Sequence, residues 1–195
     1  MMVIKIKNID LKNLAREIKK GRVIVCPTDT VYGLLADATN KKAVEKIFKI
    51  KKRPKTKPLP IFIKDLETTK RLAIIDKNQE RFLKKAWPGK ITAVLKRKAA
   101  NRKQKIYGID KKTIALRISK YKLVLELLKA INKPLTGTSA NISGKPATTK
   151  IKDILRQFQN KKFQPDLILN TGNLKSSKPS KVIDFTGKRP KILRD

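Results

Sequence analysis

Short apolar runs set between segments of helical period limit this chain's folds more than any other feature. VIVC (23–26), PLPIFIK (58–64), ITAVLK (91–96), TIALRIS (113–119) and DLILN (166–170) read as strands, as do VIKIK (3–7), SKVIDFT (180–186) and PKILR (190–194). Between them, Leu11, Leu14, Ala15 and Ile18 recur at helical spacing, with Gly21 placed to cap that helix. Val44, Ile47 and Phe48 mark a helix near 40–51, and Leu123, Val124, Leu127, Leu128 and Ile131 mark another. Ile151, Ile154, Leu155 and Phe158 share one face of a helix near 149–159, and two short helical patterns fill 65–86. The lysine-rich stretch 97–112 reads as an exposed loop. Interleaved strands and helices without a linker predict one α/β domain over 1–195. Consecutive strands near the C-terminus predict a mixed sheet rather than a purely parallel one.

Composition narrows the chemistry. No apolar run approaches the roughly 20 residues that cross a bilayer, and MMVIKIKNID has no signal-peptide core. Cys26 is the single cysteine, so an intrachain disulfide is ruled out. A cytoplasmic protein with no membrane contact is expected. The 50 Lys and Arg against 15 Asp and Glu give +35. That excess reflects a lysine-rich proteome, a polyanionic ligand (nucleotide or RNA), or both. The chain has no histidine, which excludes a Ser-His-Asp triad, a Cys-His pair and a histidine-ligated metal. Chemistry here should rest on positioning and on stabilising negative charge, the logic of phosphoryl and nucleotidyl transfer.

Four polar segments stand at strand ends. Thr28, Asp29 and Thr30 in PTDTVYGLL (27–35) either cap a turn or form part of a site. KIKKRPKTKPLP (49–60) holds a basic cluster stiffened by Pro54 and Pro58, either a solvated helix end or a phosphate grip. Arg117 interrupts the apolar strand TIALRIS; alternation sends it to the face opposite Leu116 and Ile118, where it snorkels or binds an anion. TSANISG (138–144) presents hydroxyls, an amide and backbone N–H groups after a strand, where ligands dock in α/β folds. Neither a Walker A loop nor a GxGxxG occurs.

Together these segments resemble the YrdC/TsaC family of threonylcarbamoyl-adenylate synthases. The matching pieces run in order: PTDTVYGLLADA (27–38), KIKKRPKTKPL (49–59), WPGKITAVL (87–95), TIALRIS (113–119), TSANISGKPATT (138–149) and PSKVIDFTGKRPKILR (179–194). The family's Lys-x-Arg and Ser-x-Asn signature falls on Lys51, Arg53, Ser139 and Asn141. The resemblance implies a YrdC-like fold, a twisted mixed sheet flanked by helices, with a basic concave groove. It implies synthesis of threonylcarbamoyl-AMP and pyrophosphate from L-threonine, bicarbonate and ATP with Mg2+, for the t6A modification of tRNA. A separate threonylcarbamoyl transferase would take the product. It also implies that Thr30, Arg117 and Ser180 hold threonine, and that Lys51, Arg53 and Lys57 grip the phosphates. Ser139 and Asn141, with Thr113 and Arg194, would line the nucleotide site, and no protein-held metal is expected. Ile118, Tyr121 and Lys181 depart from the residues usual in the family. A non-catalytic RNA-binding or ribosome-maturation protein on the same fold is the competing reading, favoured by charge. Its weakness is an aromatic content of only 5%, which leaves few surfaces for base stacking.

Overall fold

The computed structural model describes residues 1–98 and 105–195. The first half contains β1 (Met2–Lys5), α1 (Leu11–Lys19), β2 (Ile24–Cys26), β3 (Gly33–Leu35), α2 (Lys41–Lys51), β4 (Ile61–Phe62), α3 (Leu66–Leu72), β5 (Ala73–Ile74) and α4 (Lys77–Ala86). The second contains β6 (Ile91–Arg97), β7 (Thr113–Arg117), α5 (Lys122–Ile131), β8 (Leu135–Thr136), β9 (Thr138–Ser139), α6 (Ile151–Phe158), β10 (Leu167–Asn170), β11 (Lys181–Asp184) and β12 (Lys191–Arg194). Part of the loop expected at 97–112 falls on 99–104, outside the described residues; 105–112 carry no helix or strand.

Local chemistry sets the helix ends. Asp10, Asn40, Asp65 and Asp76 each accept a first-turn backbone N–H, and Asp76 with Gln79 completes a capping box. Gly21, at φ +90°, terminates α1 as its sequence position suggests. Lys52 ends α2 in the left-handed region.

The strands form two mixed sheets where a single one is expected. One has the order β1-β10-β2-β3-β9; the other runs β12-β11-β6-β7-β4-β8, with β5 added beside β6. In the first, β1, β10 and β2 are parallel and β3 and β9 antiparallel. Val23 and Val25 face the core beneath α2 and α6, whereas Ile24 and Cys26 face α1 and α5. Both faces of VIVC are therefore buried, which is why it is an unbroken apolar run. The second sheet packs Ile61, Ala93, Leu95, Ile114 and Leu116 on Leu83 and Trp87.

The sheets meet at a seam where β8 runs into β9. Thr136 is the last residue of β8 and Thr138 the first of β9, so the chain crosses from one sheet to the other at Gly137. A Cβ there would lie about 3.0 Å from the Phe62 ring, closer than carbon atoms normally pack. Thr136 ties the crossing down: its N–H donates to Ala36 O, and its hydroxyl accepts from Ala36 N and donates to Leu34 O.

Candidate active site

Beside this seam lies a cleft of about 110 Å3. The chain leaving β2 supplies Thr28 and Thr30, β4 supplies Phe62, β7 supplies Arg117, and the crossing supplies Gly137, Thr138 and Ser139. Arg53, Ser180 and Arg194 complete the wall. The parallel strands β4 and β7 both end here, as expected for a ligand site in an α/β fold. Three guanidinium groups line the cleft, and no carboxylate does among the described residues.

Arg117 follows the predicted alternation. Leu116 and Ile118 enter the core of the second sheet, while Arg117 lies on the other face, across from Phe62 in the β4–β7 register and over its ring. It neither snorkels nor stands free, because the chain supplies its own carboxylate. Nη2 donates to Asp29 Oδ1 at 2.8 Å, Nη1 to Thr30 Oγ1 at 3.3 Å, and Nε to Gly89 O at 2.9 Å. Only 4% of Arg117 is exposed. Burial lowers its pKa, and the Asp29 charge opposes that shift. Asp29 also accepts from the Ser119 hydroxyl and from Lys120 N. Thr30 is held in turn, its N–H donating to Thr28 Oγ1.

Lys51 stands behind the opposite wall. Its ammonium donates to Ser139 O, Asn141 O and Asn141 Oδ1 at 2.5–2.9 Å, and Ser143 N donates back to Lys51 O. Ser139 Oγ donates to Asn141 Oδ1 at 2.7 Å, and the Asn141 amide donates to Lys145 O. The loop after β9 is thus knotted onto the end of α2 by one lysine that is 2% exposed. Lys51 forms no ion pair among the described residues, and burial, aided by the nearby Arg53 charge, lowers its pKa to about 7.

Arg53 donates through Nε to Lys57 O and through Nη2 to Pro58 O, so its own loop aims it into the cleft. Arg194 reaches from β12 and donates twice to Ser180 O and once to Ser180 Oγ, which also pairs with Thr92 Oγ1. Burial lowers the pKa of both arginines.

Of the residues expected in the site, Thr30, Arg53, Arg117, Ser139, Ser180 and Arg194 line the cleft. Lys51 and Asn141 are not on its wall: Lys51 is hydrogen-bonded to the Ser139 loop, where Asn141 is also bound. Lys57 contributes a backbone oxygen to Arg53, and its side chain points to solvent. Thr113 opens β7, four residues before Arg117 or ~13 Å at the usual strand rise, and its hydroxyl and N–H go to Asp110. Sequence reasoning missed Asp29 as a partner of Arg117. The signal was an acid in the turn after a fully buried strand, together with an arginine inside an apolar one.

A larger cavity of about 400 Å3 lies between α3 and the end of α5, with Lys64, Arg71 and Lys133 on its wall. Arg71 and Lys133 stand at helix C-termini, where cations are commonplace, and Lys133 is paired with Asp37. None of the expected site residues lies there.

Comparison with known proteins identifies the family. The Sua5/YciO/YrdC family profile, described as "Telomere recombination", matches residues 16–195. A protein of Methanocaldococcus jannaschii is 36% identical over 177 residues, covering 89% of this chain and 79% of that one. The threonylcarbamoyl-AMP synthase of Pyrococcus abyssi is 35% identical over 178 residues, 91% of this chain and 51% of that protein. The crystal structure of P. abyssi Sua5 complexed with L-threonine superposes with a TM-score of 0.86 at 31% identity, covering 100% of this chain and 57% of that one. The chain thus spans about half the length of the P. abyssi relatives. With its fold, its ordered motifs and the profile in agreement, the chain belongs to the Sua5/YciO/YrdC family.

Proposed function

We propose that this chain is an L-threonylcarbamoyladenylate synthase, a nucleotidyltransferase that uses L-threonine, bicarbonate and ATP. The carrying observation is the wall of the cleft: Arg53, Arg117 and Arg194 converge with threonine and serine hydroxyls, and no acid intervenes among the described residues. Such a wall suits two anions side by side, an amino-acid carboxylate and a phosphate chain. Arg117 retains one uncommitted N–H on each terminal nitrogen, donors available to the carboxylate of threonine. Thr30 lies against the same guanidinium. Arg53 and the Ser139 loop form the other side, suited to the nucleotide, and Arg194 with Ser180 closes the rim. The threonine amine adds to CO2 formed from bicarbonate and loses a proton, giving a carbamate. A carbamate oxygen then bonds to the α-phosphorus of ATP while the bond to the β-phosphate oxygen breaks, releasing pyrophosphate. Arginines stabilise the charge that develops, so no histidine is required. Among the described residues the lining offers no acidic ligand for a divalent ion, so Mg2+ would enter as Mg·ATP, a substrate. The product would pass to a threonylcarbamoyl transferase acting on tRNA.

The test is pyrophosphate release by the purified chain, with mass spectrometric detection of the adenylate, omitting threonine, bicarbonate and ATP in turn. Product requiring all three supports the reading; pyrophosphate release indifferent to threonine ends it. The net charge of +35 favours a second reading, an RNA-binding protein without turnover, which predicts tight RNA binding and no adenylate.

A further inference from the structure

We infer that Asp29 is a positioning residue that sets the affinity for the amino-acid substrate by holding the Arg117 guanidinium; this rests on the reading that the cleft takes threonine. Asp29 is absent from the cleft wall although its neighbours Thr28 and Thr30 belong to it. It stands behind Arg117, its side chain 11% exposed, and the two form a buried ion pair at 2.8 Å.

The donor arrangement explains the role. A guanidinium on one flexible stem can rotate its plane, and a bidentate grip on a carboxylate requires that plane to be fixed. Gly89 O holds Nε from one side, and Asp29 Oδ1 holds Nη2 from another. These contacts leave a single orientation for the uncommitted N–H groups. Asp29 is itself pinned by the Ser119 hydroxyl and Lys120 N, the residues that follow β7. The turn after β2 and the exit of β7, which lie in different sheets, are thereby locked around the guanidinium. A general base for the threonine amine would have to face the substrate, and Asp29 faces Arg117 instead.

The test uses Asp29→Asn and Asp29→Ala. The asparagine keeps the shape and one acceptor oxygen, so it guards against failure of the alanine variant to fold. Threonine binding is measured by calorimetry, and initial rates are measured against threonine and against ATP. The inference expects KM and Kd for threonine to rise by about tenfold to a hundredfold in Asp29→Ala. Asp29→Asn should fall between it and wild type, and KM for ATP should stay within about threefold, because the phosphate side of the cleft is built from other residues. Equal threonine affinity in wild type and both variants, or parallel losses for threonine and ATP, overturns the inference and leaves the synthase reading standing. Wild-type protein that binds no threonine overturns both.

Discussion

Two buried cations flank the cleft, and they are solvated in opposite ways. Arg117 has a carboxylate, Asp29, at 2.8 Å. Lys51 is equally buried but holds only neutral oxygens, those of Ser139 and Asn141. A buried charge needs a counter-charge or a full set of hydrogen bonds. The arginine has the first and the lysine only the second, so the lysine's pKa falls to about 7. The difference separates two tasks: the paired arginine keeps a fixed charge toward the cleft, and the unpaired lysine serves as an internal clamp for the Ser139 loop.

The largest expected effect comes from breaking the paired side. Arg117→Ala leaves the Asp29 carboxylate buried without its partner and should cost about 3–5 kcal/mol in urea unfolding. A loss under about 1 kcal/mol would mean that the pair is no more than a surface contact. Lys51→Met is milder, because it removes a charge that has no counter-charge and leaves unpaired oxygens behind. It should cost about 1–3 kcal/mol, with adenylate formation falling because Ser139 loses its support. Full activity in that variant would show that the knot does not shape the site.

The smallest effect concerns pH. The unfolded chain keeps the Lys51 proton up to its ordinary pKa of 10.5, whereas the folded protein sheds it near 7. Between those values the unfolded state binds more protons, so this group makes stability rise with pH. The stability of wild type relative to Lys51→Met should therefore climb between pH 7 and 10. Asn141→Asp would place a carboxylate where Asn141 Oδ1 now meets the ammonium, making Lys51 resemble Arg117. That change should raise the lysine pKa and flatten the climb. An unaltered slope would separate the pH dependence from Lys51.

Much of this arrangement was legible in the sequence. Alternation placed Arg117 opposite Leu116 and Ile118, and helical spacing identified α1, α2, α5 and α6, because each buries one stripe against a sheet. The short strands β3, β5 and β9 were missed. Elements of two or three residues have no period to read, and their pairing is decided by neighbours distant in the chain. The division into two sheets was illegible for the same reason: β8 and β9 are two-residue strands separated only by Gly137, yet they belong to different sheets. Charge alone does not tell two lysines apart. Lys51 and Lys57 belong to one basic cluster, yet the fold buries the first and exposes the second. Asp29 reads locally as a turn residue, and its partner lies 88 residues further on.

The crossing at Gly137 has a consequence for how the protein would fail. Thr30 and Ser139 hang from one sheet and Arg117 from the other, so the cleft exists only while the two remain in registration. A thermal or chemical stress that lets the halves slide apart would extinguish turnover while each retained its strands and helices. Far-ultraviolet circular dichroism would be blind to that event, and the enzyme's own activity would be the earliest alarm.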